Sequence, residues 1–518
     1  MNTANFVAIP AGLFPDQEIL CCADQRLTYG RLWEEIERIA AGLHGLGVQP
    51  GDCVAALDTT SHHYVELYYA VALLGAVFVP LNYRAKPIEL AHMLGTANVE
   101  TLVVGERYAD QVDGLMARLP RLRRVLGMAA GARTAIEDLA NTPAGTFIAP
   151  DVDDDATVIL MYTSGTTSMP KAVLLTHNDF TSYVCNSVEL ADGSERGVSL
   201  GCMPLYHIAG MTNVMTTMFT GRRLVLMRQF AADAWLQIVD EARVTHAFLV
   251  PTMVKQVIDC PRFASADLRS LQSLAYGGAP MPLPILRRAL ERFPTTTGFV
   301  NAFGQTETTS TLTVLGPEDH RRAAGEGQEQ LWHRLQSIGR PLPDVELRIV
   351  DDDGNDLPGG ATGELWVRTP RLMKGYASDT GVVTPLRDGW LPTRDMGWID
   401  ADGYVFLAGR KDDMIIRGGE NIAPAEVEAV LQAHPGVEEA AVLGVADEEW
   451  GQQVAAAVVP RAGVTLATHE LTLFCKQRLA SFKVPTVILV AHALPHSALG
   501  KVLRGELRVL LGDAAGRR

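Results

Sequence analysis

The sequence predicts an α/β protein with a large N-terminal domain, a small antiparallel β subdomain within it, and a small α+β domain at the C-terminus. The large domain is expected to hold stacked, mostly parallel sheets flanked by helices. Three observations carry this expectation. Apolar runs of strand length alternate with segments of helical period through the first part of the chain, as parallel sheets covered on both faces require. From about residue 345 to 407 the pattern changes to short runs separated by turn dipeptides. At 518 residues the chain is too long for one core, so two or more domains are expected. The boundary is placed at 410/411, giving domains 1–410 (with the β-rich subdomain at 345–407) and 411–518.

Each element has its own reason. Leu32, Trp33, Ile36, Ile39, Ala40 and Leu43 recur at helical spacing. Cys53–Leu57 reads as a buried strand, Tyr64–Leu74 as a helix, and Ala76–Leu81 and Thr101–Val104 as further strands. Residues 129–150 are rich in Ala, Gly, Thr and Pro and read as a connection. The acidic run Asp151–Asp155 reads as a solvated loop before the apolar run Val158–Met161. The alternation continues through Arg223–Met227, Thr245–Val250 and Leu271–Tyr276, and the charged stretch His320–Gln336 reads as a surface helix or excursion. Asp353-Gly354, Pro358-Gly359-Gly360, Asp388-Gly389 and Asp402-Gly403 supply the hairpin turns. The C-terminal unit follows with a helix at Pro424–Ala433, strands at Ala440–Leu443 and Val454–Val459, and a helix at His469–Leu479.

Composition narrows the function. The formal net charge of −15 argues against a nucleic-acid partner, because phosphate backbones need a basic face. Seven cysteines, scattered and without a C-x-x-C pair, suit reduced thiols in a cytoplasm and not a disulfide framework or zinc site. Residues 1–20 lack a basic start and carry Asp16 and Glu18, so no signal peptide is expected. The longest apolar run, Tyr69–Leu81, is too short to span a bilayer. No integral membrane segment is therefore expected, and the location is read as cytoplasmic.

Chemistry concentrates in a few places. Tyr162–Lys171, Y-T-S-G-T-T-S-M-P-K, follows the apolar run Val158–Met161. Small hydroxyl and glycine residues at the end of a strand present backbone N–H and side-chain O–H donors, and with one lysine they suit a polyphosphate. It is not a Walker A loop, and on its own it also reads as a solvated turn. At Asn301–Glu307, a carboxylate near a phosphate loop suits Mg²⁺, although Glu307 alone also reads as a helix N-terminal acid. Tyr276–Pro280 holds Gly277, Gly278 and Ala279, which let a flat ring approach the backbone or simply make a tight turn. Asp395 suits a pair of ribose hydroxyls, or is a surface acid. Gly409–Asn421 reads as hinge or linker, and Gly500-Lys501 places a lysine close to the C-terminus.

Five of these stretches occur together and in order, and they resemble the adenylate-forming superfamily of acyl-CoA synthetases, firefly luciferases and peptide-synthetase adenylation domains. The likeness spans about residues 25 to 508 and is closest to bacterial fatty and aromatic acid:CoA ligases. The family's phosphate loop appears as Tyr162–Ala172, its Y-G-x-T-E as Phe303–Glu307, and its T-G-D as Thr393–Asp395. Its hinge appears as Gly409–Asp412 and its terminal G-K as Gly500-Lys501. The resemblance implies ATP, Mg²⁺ and coenzyme A as cofactors and a carboxylic acid, medium- to long-chain aliphatic or aromatic, as substrate. The acid would be converted to acyl-AMP with release of pyrophosphate and then passed to coenzyme A. It places Thr163, Ser164, Gly165, Thr166, Thr167 and Lys171 around the outer phosphates and Thr306 at the α-phosphate. Glu307 with Thr163 would hold Mg²⁺. Asn301, Phe303, Gly304 and Gly277–Ala279 would surround adenine, with Phe303 stacking where relatives usually have tyrosine. Asp395 would take the ribose and Arg410 the ribose or phosphate, and Lys501 would bridge α-phosphate and carboxylate. The C-terminal domain is implied to be mobile about Asp412, after which Arg417, Gly418 and Gly419 line the pantetheine tunnel and Trp450 packs on coenzyme A. His207 corresponds to the gate between acyl pocket and thiol tunnel; taken alone it reads as a packed core histidine. The acyl pocket should draw on Phe180, Val184, His207, Ile208, Ala209, Met211, Phe248, Gly277 and Ala302, with no evident cation for a second carboxylate. A homodimer is left open.

Three departures stand out. Ser168 and Ala172 replace glycines of the phosphate loop, and Arg394 replaces a small residue before Asp395. Thr486 and His496 stand where relatives often carry lysine near coenzyme A. These last changes keep open another acceptor, namely a carrier-protein phosphopantetheine, an amine, or nitrite activation for diazotisation. A silent scaffold is disfavoured by the presence of Lys171, Glu307, Asp395 and Lys501.

Overall fold

The computed structural model describes residues 1–129, 134–141, 147–163, 169–325, 329–378, 381–447, 449–496 and 502–515. The chain divides into two compact units. The first comprises residues 1–335, 341–345 and 368–386, and the second residues 336–340, 346–367 and 387–518.

Two sheets form the first unit. In one, Val77–Pro80, Cys53–Leu57, Thr101–Val104 and Arg124–Gly127 lie in that order and pair in parallel. Thr157–Thr163 joins Val77–Pro80 in parallel, and from there outward the pairing turns antiparallel through Lys171–Thr176, Gly375–Ser378 and Gly381–Val383. The expected β-rich stretch 345–407 is thus divided, since 375–383 extends this sheet. The continuous apolar strands predicted at 53–57 and 101–104 are buried throughout almost their whole length, as a sheet covered on both faces demands. Their inner residues Ala55, Leu57, Val79 and Leu102 share one core with Leu90, Leu94 and Tyr206.

The second sheet runs Ser310–Leu315, Gly298–Gln305, Ser273–Gly277, His246–Leu249, Val198–Gly201, Arg223–Leu226, Glu18–Cys22 and Gln25–Thr28. Its interior pairs are parallel, and Ser310–Leu315 and Gln25–Thr28 are antiparallel to their neighbours. Some helices start where a short polar side chain caps them. Thr176 accepts from the Asp179 amide at 3.1 Å and Asp179 accepts from the Thr176 amide at 2.7 Å, opening His177–Ser187 directly after a strand. The charged stretch after residue 316 begins as the helix Pro317–Ala324, and its His320 is buried against Tyr276. The His320 ring donates to the Gly316 carbonyl at 2.7 Å and accepts from the Tyr276 hydroxyl at 2.8 Å. Burial pushes its pKa down to about 4, so the ring is neutral.

In the second unit Glu346–Val350, Gly363–Arg368, Leu391–Ile399 and Val405–Arg410 form a four-stranded sheet, as the turn dipeptides predict. Next come the hairpin Ile415–Arg417/Glu420–Ile422 and a three-stranded sheet of Val437–Asp447, Gly451–Pro460 and Val487–Val490. Helices Pro424–Gln432 and Thr468–Lys476 contribute Val427, Leu431 and Leu471 to the core on one face. Arg504–Ala515 contributes Leu507 and Leu511 to the other.

Candidate active site

The base of the hydroxyl loop is a β-ladder. Thr163 ends one strand, Lys171 begins the next, and the two are direct cross-strand partners. The ladder therefore holds the two ends of the loop together. Ser164, Gly165, Thr166 and Thr167 lie outside the described residues, as does Lys501. Lys171 is exposed, and its ammonium lies 5.4 Å from the ring centre of Tyr376. The Tyr376 hydroxyl donates to Glu307 Oε1 at 3.0 Å. Lys171, Tyr376 and Glu307 thus form one chain of contacts, joining two motifs more than 130 residues apart. Tyr376 gets there because Gly375–Ser378 pairs antiparallel with Lys171–Thr176, Tyr376 opposite Val173. Sequence reasoning missed Tyr376; its signal was an aromatic residue in a Gly-flanked short strand, which no spacing rule ties to a loop 200 residues earlier.

Glu307 sits in the one-turn helix Thr306–Thr308. Thr308 caps this turn from its far end, accepting from the Gln305 amide at 3.1 Å. The chain then passes through Thr309 at φ +49° and Ser310 at φ +85°, a region that residues with a side chain rarely adopt. A wholly buried arginine holds this bend. Arg371, 0% exposed, donates to the carbonyls of Thr308 and Thr311, each at 2.8 Å. Its guanidinium forks onto Asp344 at 2.7 and 3.3 Å, and its own carbonyl accepts from the Thr309 hydroxyl at 2.9 Å. Arg371 was also missed, because a lone arginine between Pro370 and Leu372 carries no motif.

Asn301 and Phe303 alternate along Gly298–Gln305, so they lie on one face of that strand and are both partly exposed. The register shifts between Phe303 and Gly304, where the strand leaves its partner and turns into Thr306. Gly277 and Ala302 are cross-strand partners. A Cβ on Gly277 would lie 2.1 Å from the Ala302 carbonyl oxygen, so the close approach that demands this glycine is that of the adjacent strand. Gly278 and Ala279 follow at the strand end, Gly278 exposed. His207 precedes the helix Ile208–Thr220, and its ring centre lies 4.3 Å from that of Tyr206. Its Nε2 is buried without a hydrogen-bond partner. Burial, with Arg84 nearby, pushes its pKa down to about 4, leaving a neutral ring.

The second unit assembles the other predicted residues. Asp395, 5% exposed, is the cross-strand partner of Arg410, whose Nε lies 2.9 Å from Asp395 Oδ1. Arg410 also donates to the Thr393 carbonyl at 2.9 Å. The departure at Arg394 has a structural counterpart: its backbone stands at φ +63°, where the related glycine is at ease. Its guanidinium forks onto Asp412, Nε to Oδ2 at 2.8 Å and Nη2 to Oδ1. Gly418 and Trp450 meet directly: the Gly418 amide donates to the Trp450 carbonyl at 2.9 Å, and a Cβ on Gly418 would lie 2.8 Å from the indole. Arg417 lies 5.8 Å from the indole centre, Gly419 is exposed beside them, and Trp450 itself is 47% exposed. Thr486 donates to Gln453 at 2.7 Å and His496 pairs with Glu439 at 2.6 Å.

Known proteins match this chain over nearly its whole length. The sequence model of the AMP-binding enzyme family matches residues 9–377, and that of the AMP-binding enzyme C-terminal domain matches residues 426–501. The indoleacetate–CoA ligase of Aromatoleum aromaticum is 35% identical over 515 residues, covering 99% of this chain and 98% of that protein. A feruloyl-CoA synthase of an Amycolatopsis species is 37% identical over 489 residues, 94% of each chain. Among solved structures, the amide bond synthetase McbA from Marinactinospora thermotolerans superposes with a TM-score of 0.86 at 29% identity, over 98% of this chain and 99% of that one. No helix among the described residues is long and apolar enough to cross a membrane. On the family matches, the chain belongs to the AMP-binding enzymes of the adenylate-forming superfamily.

Proposed function

We propose that this enzyme activates an aromatic or medium- to long-chain aliphatic carboxylic acid with ATP and transfers the acyl group to coenzyme A, as a cytoplasmic acid–thiol ligase. The contact chain Lys171–Tyr376–Glu307 is the observation that carries the reading. A carboxylate attacking a triphosphate brings anions together, so the protein must supply positive charge, donors and alignment. Lys171 and the donors of Ser164–Thr167 bind the outer phosphates, and Thr306 donates to the α-phosphate. Asp395 accepts from the ribose hydroxyls while Arg410 holds it in place. Asn301, Phe303, Gly304 and Gly277–Ala279 form the adenine face. His207, neutral, donates or accepts without adding charge to the acyl pocket. Glu307 and Thr163 offer the hard oxygens Mg²⁺ takes, and when bound there the ion neutralises phosphate charge. Domain 411–518 pivots at Asp412, bringing Gly418, Gly419 and Trp450 to the thiol substrate.

The deciding experiment is acid-dependent pyrophosphate release across a panel of aryl and alkyl acids, with and without coenzyme A. Release that depends on an acid, with coenzyme A consumed as thioester, supports the reading; release with no acid dependence ends it. Replacing Tyr376 by phenylalanine removes one hydrogen bond to a charged group, worth ~1.5–3 kcal/mol. We expect the Mg²⁺ concentration for half-maximal release to rise about tenfold, since 1.4 kcal/mol is one decade. An unchanged Mg²⁺ dependence separates Tyr376 from the metal site. A second acceptor class, an amine, is favoured by one observation: Thr486 and His496 are turned to Gln453 and Glu439 and present no ammonium for the phosphates of coenzyme A. A discharge assay with amines in place of the thiol distinguishes the two.

A further inference from the structure

Away from the residues discussed above, the first unit carries a cluster of two imidazoles and three carboxylates. His62 and His63 open the helix His62–Leu73, whose first turn is capped by Ser61 accepting from the Tyr64 amide at 3.2 Å. Their ring centres lie 3.9 Å apart, and Glu66 follows on the same side one turn later. One ligand atom from each of His62, His63 and Glu66 can be chosen so that all lie within 4.8 Å of one another. His63 touches Glu66 Oε2 through Nδ1 at 3.0 Å and Glu137 Oε1 through Nε2 at 2.6 Å. Glu137 comes from the separate helix Ile136–Leu139. Glu35, from the helix Tyr29–Gly45, brings a third carboxyl within hydrogen-bonding reach of Glu66 and is itself paired with Arg31 at 2.7 Å.

His63, set between Glu66 and Glu137, meets one oxygen of each. It leaves two buried atoms without a partner, His62 Nδ1 and Glu66 Oε1. Glu66 is 2% exposed, and the Glu35 carboxyl within its reach can partner it only by donating a proton, so an ionised Glu66 here is costly without a cation. Arg228 and Asp58 also act on this region, with opposite charge.

We propose that His62, His63 and Glu66 bind a divalent transition cation of the Zn²⁺ class, with Glu137 or Glu35 as a further oxygen ligand. Two imidazole nitrogens with a carboxylate oxygen form a donor set that Zn²⁺ takes in tetrahedral geometry. The ion gives His62 and Glu66 a common partner and ties the helix His62–Leu73 to one neighbouring helix. No residue assigned to the nucleotide, acid or thiol takes part, so the site is a brace on the scaffold.

The test uses the full-length enzyme stripped with a chelator and then titrated with ZnCl₂ by calorimetry, with a chromophoric zinc indicator as competitor. We expect one equivalent bound per chain and a rise in melting temperature. Binding should weaken at least tenfold in His63→Ala and in His62→Gln, the latter on a partly exposed residue whose loss leaves the core intact. Co²⁺ in place of Zn²⁺ should give visible absorption bands in the parent that His62→Gln removes. Absence of a stoichiometric site, or binding and Co²⁺ spectra that neither substitution alters, overturns the proposal.

Discussion

Replacing Arg371 by alanine is expected to lower unfolding stability by ~3–5 kcal/mol, the cost of breaking a buried ion pair from one side. The arginine is wholly buried, and its removal strands Asp344 and the carbonyls of Thr308 and Thr311 at once. Thr309 and Ser310 hold a backbone region that costs ~1–3 kcal/mol per residue, and the Arg371 contacts are what keep that bend in place. Relaxation of the bend displaces Thr306 and Glu307, which stand immediately before it. Acid-dependent pyrophosphate release should therefore fall together with stability, and Arg371→Lys should recover little, because an ammonium cannot fork onto Asp344 and reach two carbonyls. Denaturant melts and release assays on both variants check this. A variant that unfolds at the parental midpoint with parental turnover removes the clamp from the account.

The second large effect is expected at Lys501. On the proposed mechanism its ammonium bridges two anions as the new bond forms. Losing such a preorganised charge costs on the order of 10²- to 10³-fold in rate. Lys501→Ala should depress acyl-adenylate formation by that factor while leaving ATP binding nearly intact. Thioester formation from a supplied acyl-adenylate should be spared, because that half-reaction follows departure of Lys501. Separate assays of the two half-reactions decide it: equal loss in both, or pyrophosphate release at the parental rate, rules the assignment out.

How much of this was legible in the sequence depends on the range of the interaction. Strands such as Cys53–Leu57 and Thr101–Val104 were read to the residue, because a short apolar run bounded by turn residues has one physical solution in a covered sheet. Lys171, Glu307 and Asp395 stand out in the sequence because their residue types suit phosphate, magnesium and ribose and occur in a recurrent order; the structure joins the first two through Tyr376 and pairs Asp395 with Arg410. Gly277 is singled out in the sequence for a ligand's approach, and the structure adds a second demand on it, the nearby Ala302 carbonyl of the adjacent strand. Tyr376 and Arg371 were invisible. Each acts through pairing between segments far apart in the chain, and nothing local in 370–376 records which strand will lie alongside.

Arg394 has a consequence for timing. It occupies a backbone region suited to glycine and spends its charge on Asp412, the proposed pivot. An exposed ion pair of this kind is worth ~0–1 kcal/mol, no more than the backbone penalty it sits against. On the proposed pivot the tether is therefore a weak brake. Because it is a screened attraction, its grip loosens as salt rises. If Asp395 takes the ribose and Asp412 is the joint, as proposed, the neighbouring strand and joint share a friction set by ionic strength.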